Sequence, residues 1–488
     1  MSHGLNRINM PKSTDNPSAH RPATPNWRPI LEARRGVTKH KALTDRIIAD
    51  IVSGRLPPDS RMPTHRDLAR SLDLSVQTVS QSYREAERLG YLRGEVGRGT
   101  FVRSRVTERA NSFILDRPEQ EIVDLSIIRA VYTEQHEEAS RAVFATLAAG
   151  ETAPFMRPCR PIAGLDHHRA AARGWLAQFG LEVALERILI TNGAAHAVFL
   201  ALAAIVRPGD VVLTEDLTDH GIIGLASVLG FTLRGLETDA EGILPEAFAA
   251  ACQAGKITAL ALIPTLGNPT SHVGGVARRE AIADIAARHG VFVVEDEVCR
   301  PLVAEPLPAI TSMIPDLGFY ATSFTKSVLT GLRVGYLVVP PAYSIRVASI
   351  LRVTSWSAVP LPAEIASRWI EDGTALALLR RQRQEIATRQ AIVRAQLGAH
   401  VAQSHPASLC VWLRVPAHWT ETGLMLALAQ RRIAVTPAEP FQAGEIRRGG
   451  IRLCIGGHLT HDALAEALGK IRTTCEQLPP LFDAGPIA

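Results

Sequence analysis

The chain has 488 residues, 46% hydrophobic and 21% charged, a balance of ordinary soluble globular proteins that excludes wholesale disorder. Its formal charge of +5 is unevenly placed: residues 1–105 carry 19 Lys and Arg against 10 Asp and Glu, so a basic head precedes a mildly acidic body. No apolar run exceeds the ten residues from Ala197 to Val206, short of the roughly 18 that a membrane helix needs. No charged cap followed by an apolar stretch opens the sequence either, so a cytoplasmic protein without membrane contact is expected. The six cysteines lie far apart with no C-x-x-C spacing, which argues against a disulfide framework or a zinc site; no metal site is expected.

Residues 1–37 mix five prolines with polar and basic residues and show no apolar period, which predicts a disordered arm. From Ala42 the pattern changes: Leu43, Ile47, Ile48, Ile51 and Val52 fall at helical spacing, and Gly54 offers the left-handed backbone that ends a helix. After the Pro57-Pro58 turn, Thr64 stands three residues before Asp67 as a helix cap, with Leu68, Ala69 and Leu72 as a short apolar face. Asp73 and Leu74 form a tight link. Ser75 then caps a third helix, whose Val76, Val79, Tyr83, Ala86 and Leu89 share one face up to Gly90. The opposite face is polar: Gln77, Thr78 and Gln81 can read base edges, and Arg84 can meet phosphate. Tyr91 to Arg93 and Thr100 to Val102 read as two short strands around a glycine-rich basic tip that includes Arg98 and Gly99. Two short helices joined by about three residues, followed by a wing, predict a winged helix-turn-helix DNA-binding domain over 38–103. The competing reading is a small helical domain with a solvated face.

Residues 41–103 resemble the winged-helix domain of the GntR family of bacterial transcription regulators, through Met62 to Ala69, Ser75 to Val79 and Gly97 to Val102. The resemblance implies contacts to a double-stranded DNA operator from Arg66, Ser75, Gln77, Thr78 and the wing tip at Gly99. Gln81, Arg84 and Arg98 extend the same polar surface.

Residues 104–121 are polar, charged and aperiodic, and predict a linker. Beyond it, short apolar runs at 188–191, 211–214, 259–263, 291–295, 319–322 and 334–339 alternate with helical stretches, which predicts an α/β domain with a mostly parallel sheet. Four strand ends in it carry chemistry. Gly193, Ala194 and Ala195 open a helix after a strand, where free N–H groups and the helix dipole favour a phosphate. Asn268 stands in a proline turn after another strand, and Asp296 leaves a third between Glu295 and Glu297. Ser323, Thr325 and Lys326 end a fourth, with Arg333 shortly after. A pyridoxal phosphate site needs an amine for a Schiff base, an anion against the pyridinium, a donor to the ring oxygen and a phosphate cup with a cation. Lys326, Asp296, Asn268, and Gly193 with Ser323 and Arg333 can supply these in that order.

Residues 122–475 resemble a fold-type I aminotransferase domain of the aspartate aminotransferase superfamily, leaving 476–488 as a tail. Fused behind a GntR head, the chain resembles the MocR-type branch of that family, bacterial regulators that bind pyridoxal 5'-phosphate and form head-to-tail homodimers. The resemblance implies that Arg452 clamps the carboxylate of a small amino-acid-like effector. Three departures stand out: only His220 is available where an aromatic should stack on the cofactor ring, Cys299 replaces a tyrosine, and Ser271 replaces a glycine. Losing the tyrosine removes a donor to the ring oxygen, which counts against catalytic turnover. A regulator that senses an amine through Lys326 is therefore expected. The alternatives are an active aminotransferase with an accessory head, and a DNA-binding protein whose large domain only dimerises.

Overall fold

The computed structural model describes residues 27, 29, 39–52, 55–56, 60–88, 91–95, 99–102, 122–150, 154–157, 160–444 and 448–479. Most of the expected arm, the linker and Arg98 lie outside these residues, as does the tail from 480. The chain divides into two compact units, 1–112 and 113–488.

In the first unit, helices Lys39–Val52, His65–Leu72 and Val76–Arg88 precede an antiparallel hairpin, Leu92–Glu95 with Gly99–Val102. Thr64 caps the second helix as its spacing requires: its hydroxyl accepts from the Asp67 N–H at 3.2 Å and donates to Asp67 Oδ2 at 2.6 Å. Asp73 ends that helix in the left-handed region, with φ of 51°. Leu43, Ile47, Leu68, Val79, Tyr83 and Val102 are among the buried side chains of one core. Two details differ from the sequence reading. Val76 starts the third helix exposed, because the first turn points away from that core. Trp27, expected within a disordered arm, is buried in the same core, and its indole N–H donates to Asp50 Oδ2 at 2.8 Å. A large apolar ring with one polar handle gains both burial and a buried acceptor there.

The second unit is built on a seven-stranded sheet in the order Ile188–Thr191, Gly335–Val338, Gly318–Ser323, Phe292–Asp296, Ala259–Leu262, Val211–Glu215, Thr232–Leu236. Gly335–Val338 runs antiparallel to both neighbours and the other pairings are parallel. Thr232–Leu236 is an edge strand whose Thr, Arg and Gly hid it from an apolar-run reading. Six strands therefore end at one edge; the four motifs that suggested chemistry lie at the ends of Ile188–Thr191, Ala259–Leu262, Phe292–Asp296 and Gly318–Ser323, and His220 follows a fifth, Val211–Glu215. A doubly wound sheet collects ligands at that edge. The helix Ala194–Ile205 is apolar nearly all round and lies in the buried cluster with Leu189, Val294, Phe319 and Leu337, which fixes its N-terminus at the same edge. A second, antiparallel sheet, Val401–Ser404, Cys410–Leu413, Ile451–Cys454 and Thr436–Pro437, carries Arg452.

Candidate functional site

At the sheet edge a cavity of about 270 Å³ is lined by Lys326, Asp296, Asn268, His220 and Arg452, all expected from the sequence, and also by Asp219, Cys299, Ile128 and Cys410. Period-two alternation decides which acid of the Glu295-Asp296-Glu297 run faces it. Glu295 and Glu297 are buried on the opposite side, where Arg279 Nη1 lies 3.4 Å from Glu295 Oε1 and 2.7 Å from Glu297 Oε1. Asp296 points into the cavity and accepts one hydrogen bond from the described residues, from Val298 N–H at 3.2 Å. Burial first, and then the charge of neighbouring Asp219, push its carboxyl up to about 7.

Lys326 follows the strand Gly318–Ser323, and its ammonium donates to the Ile128 carbonyl at 2.5 Å. Burial pushes this amine below the ordinary lysine range, toward the neutral form that attacks a carbonyl. Cys299 lies in the same cavity, and burial raises its thiol well above the ordinary cysteine range, so it is not a ready thiolate.

Beside Lys326, Ser323, Thr325 and Arg333 gather against the start of the helix Ala194–Ile205. Ser323 Oγ donates to Thr325 Oγ1 at 3.0 Å, and Arg333 Nη1 reaches the same oxygen at 3.5 Å. Gly193 precedes the helix with φ of 90°, a backbone conformation that favours glycine, and a Cβ there would lie 3.0 Å from Arg333 Nη2 and crowd the guanidinium. Among the described residues no side chain caps this helix, so the first N–H groups, those of Ala194 and Ala195, are left for an anion. A phosphate fits this uncapped, cationic cradle, and a protonated ring nitrogen fits the poorly compensated Asp296. The residues present thus suit pyridoxal phosphate.

Three polar side chains bridge the cavity in series. Arg452 Nη1 donates to Asn268 Oδ1 at 2.8 Å, and Asn268 Nδ2 donates to Asp219 Oδ2 at 2.6 Å. Arg452 Nη2 also donates to the Ser126 carbonyl at 2.5 Å, and the guanidinium lies 4.6 Å over the Phe441 ring. The fork expected to hold a carboxylate is therefore already engaged by protein groups. Arg452 Nε, buried, makes no hydrogen bond among the described residues. One amide N–H of Asn268, expected to face a ring oxygen, is likewise held by Asp219. His220 lines the cavity edge-on to Phe441, and Asp219 beside it was not foreseen as a site residue. Burial pushes the Asp219 carboxyl up, but His220, the Gly221 N–H, Asn268 and Arg452 outweigh it and hold it below the usual range. Its signal in the sequence was only its place in the turn before a helix.

Ser271 adopts the left-handed conformation, φ 66°, that a glycine would take at no cost. Its hydroxyl compensates, bonding Ser408 Oγ at 2.8 Å and donating to the Cys410 carbonyl at 3.1 Å.

In the first unit, Arg66, Ser75, Gln77, Gln81 and Arg84 are exposed and Thr78 is half-buried. Ser75 Oγ accepts from the Thr78 N–H at 3.0 Å and so caps the third helix. Gln77, Gln81 and Arg84 follow one face and line a surface groove with His40 and Lys41. Gly99 opens the second wing strand with φ of 115°, close against the Arg61 guanidinium.

The model of the family described as aminotransferase class I and II matches residues 159–471, and that of bacterial regulatory proteins of the gntR family matches residues 39–102. The chain belongs to the aminotransferase class I and II family. The gntR-family match ahead of that domain gives the chain the domain order of the MocR-type branch. It is 27% identical to the uncharacterized HTH-type transcriptional regulator YdeF of Bacillus subtilis, over 93% of this chain and 97% of that one. It is 24% identical to the probable rhizopine catabolism regulatory protein MocR of Rhizobium meliloti, over 76% of this chain and 80% of that one. Among solved structures, the α-aminoadipate aminotransferase LysN of Thermus thermophilus, complexed with N-(5'-phosphopyridoxyl)-L-leucine, superposes with a TM-score of 0.67 at 21% identity, covering 76% of this chain and 97% of that protein.

Proposed function

We propose that this MocR-type chain regulates transcription by binding DNA through its GntR head and pyridoxal phosphate through Lys326, and that an amino-acid-like effector acts at the same cavity. The observation that carries this reading is the buried amine of Lys326 sharing one cavity with the carboxylate of Asp296, beside the uncapped helix start at Gly193. The phosphopyridoxyl adduct held by LysN supports the choice of cofactor. When bound, the cofactor supplies an aldehyde that primary amines can exchange on.

The protein's own groups then divide the work. Gly193, Ala194, Ala195, Ser323, Thr325 and Arg333 would hold the phosphate, Asp296 would pair with the ring nitrogen, and Asn268 and His220 would border the ring. Arg452 receives the effector's carboxylate, which replaces Asn268 Oδ1 on the guanidinium and releases Asn268 from its place between Arg452 and Asp219. An effector thus changes a bonded network rather than filling a void. The coupling to DNA is the difference in effector affinity between two states of a head-to-tail dimer. Cys299 in place of a tyrosine leaves the ring oxygen with one donor fewer, which favours sensing over turnover.

Borohydride treatment of the purified protein, followed by peptide mapping, should place a reduced pyridoxyl group on Lys326, and Lys326→Ala should carry none. An adduct on another lysine would overturn the site. In the same preparations, Arg452→Lys keeps the charge but loses the planar fork, so the response of DNA binding to amino acids should fall at least tenfold while cofactor content is unchanged. Sustained transamination across an amino-acid panel would instead favour the enzyme reading.

A further inference from the structure

We propose that His167, His168 and Glu364 form a binding site for a divalent first-row transition metal, with zinc the ion that the ligand set suits. The two histidines lie in the first turn of the helix Asp166–Ala177, and Glu364 lies in the helix Pro360–Glu371. Folding brings the two segments together so that His167 Nε2 is 2.8 Å and His168 Nε2 is 3.0 Å from the same carboxylate oxygen, Oε2 of Glu364. The three ligand atoms lie within 4.8 Å of one another. None of the three residues lines the cavity of Lys326.

Two imidazole nitrogens and one carboxylate oxygen suit zinc and its neighbours, whereas calcium and magnesium prefer oxygen ligands throughout. A tetrahedral zinc with bonds of about 2.0–2.1 Å needs its ligand atoms roughly 3.3 Å apart, so each of the two distances to Glu364 Oε2 has to open by only a few tenths of an ångström, and the two imidazole nitrogens, within 4.8 Å of one another, have to settle at the same spacing. His167 can make that adjustment. Its side chain is 50% exposed, while those of His168 and Glu364 are 3% and 8% exposed. The exposed side gives the ion a route from solvent and leaves a coordination position for water, as three-ligand zinc sites have. The other oxygen of the carboxylate is already fixed: Glu364 Oε1 accepts from Arg368 Nε at 2.7 Å. Such an outer partner orients a ligating carboxylate and leaves Oε2 facing the histidines. The ion would tie together two helices whose Trp175 and Trp369 are buried in one core cluster.

The test is a zinc titration of the full-length, cofactor-containing protein after chelator treatment, in competition with a chromophoric zinc chelator. The parent should take up about one zinc per chain at this site with micromolar or tighter affinity, and zinc should raise the thermal midpoint of the large domain by mass action. His167→Ala, at a half-exposed position that the fold tolerates, should weaken binding at least ~100-fold and abolish the thermal gain. Arg368→Gln keeps all three ligands and should weaken binding by about 10–100-fold, the usual effect of losing an orienting partner. Cobalt in place of zinc should give a visible ligand-field spectrum in the parent and none in His167→Ala. A parent that binds no zinc would overturn the proposal, leaving the cluster as a hydrogen-bonded hub. Equal affinity and stoichiometry in parent and His167→Ala would overturn it too, as the zinc would then sit elsewhere.

Discussion

A carboxylate placed between two others on a strand is presented to the opposite face of the sheet, and this alternation gives Asp296 a different environment from Glu295 and Glu297. Its neighbours have Arg279, whereas Asp296 faces the cavity with Val298 N–H as its hydrogen-bond donor. Its folded pKa, pushed up to about 7, lies above the ~3.9 of an unfolded aspartate. An acid with a raised folded pKa stabilises the fold fully below its unfolded value, and that contribution is lost as pH rises through its folded value. Asp296→Asn cannot ionise, so the cofactor-free variant should gain stability relative to the parent as pH rises from 5 to 8. The gain is about 1.4 kcal/mol for each tenfold difference in proton affinity, read from urea unfolding of the two proteins at each pH. A stability difference that stays constant over that range would show that Asp296 does not titrate there. The same variant should bind pyridoxal phosphate more weakly, since the anion opposite the ring nitrogen is gone.

At the scale of elements, the third helix of the head divides its sides between two tasks. Val79, Tyr83 and Ala86 are buried, while Gln77, Gln81 and Arg84 are exposed at spacings of four and three residues, which keeps them on one face. Arg66 is exposed on the preceding helix. Amide groups read base edges and guanidinium groups neutralise phosphates, so the two kinds of residue should fail differently. On DNA selected from a random pool, Gln77→Ala should cost about 1–3 kcal/mol at one base position and relax preference there. Arg66→Ala should weaken binding to all sequences and reduce the salt slope by about one. Parallel losses on selected and random DNA for both variants would remove Gln77 from base reading.

The whole molecule has two compact units, each with its own buried clusters: Leu43, Ile47, Tyr83 and their neighbours in one, and the clusters around the sheet in the other. Separate cores predict separate unfolding. Scanning calorimetry should show a small transition of roughly 45 kcal/mol for the ~64 residues of the head, scaled at about 0.7 kcal/mol per residue, and a much larger one for the remainder. Added pyridoxal phosphate should raise the midpoint of the larger transition alone, because a ligand stabilises the unit it binds. One cooperative transition that shifts as a whole would show the two units to be energetically coupled.

Much of the architecture was legible because its signals are local. Helical spacing gave the three head helices, the Thr64-to-Asp67 interval gave a cap, and apolar runs gave six of the seven strands of the large sheet. Strand ends in a parallel sheet share an edge, so Lys326, Asp296, Asn268 and Gly193 could be assigned to one neighbourhood before any coordinates. The missed features depend on contacts between distant parts of the chain. Trp27 has its acceptor 23 positions away, Arg452 is joined to Asn268 across 184, and His168 meets Glu364 across 196. Period and spacing extend over a few residues, so they determine which side chains share a helix face or a strand end. Which of those faces meet, and therefore that Asp219 enters the cavity, that Arg452 is already bonded and that two histidines converge on one carboxylate oxygen, is decided by strand order and helix packing, which only the tertiary structure fixes.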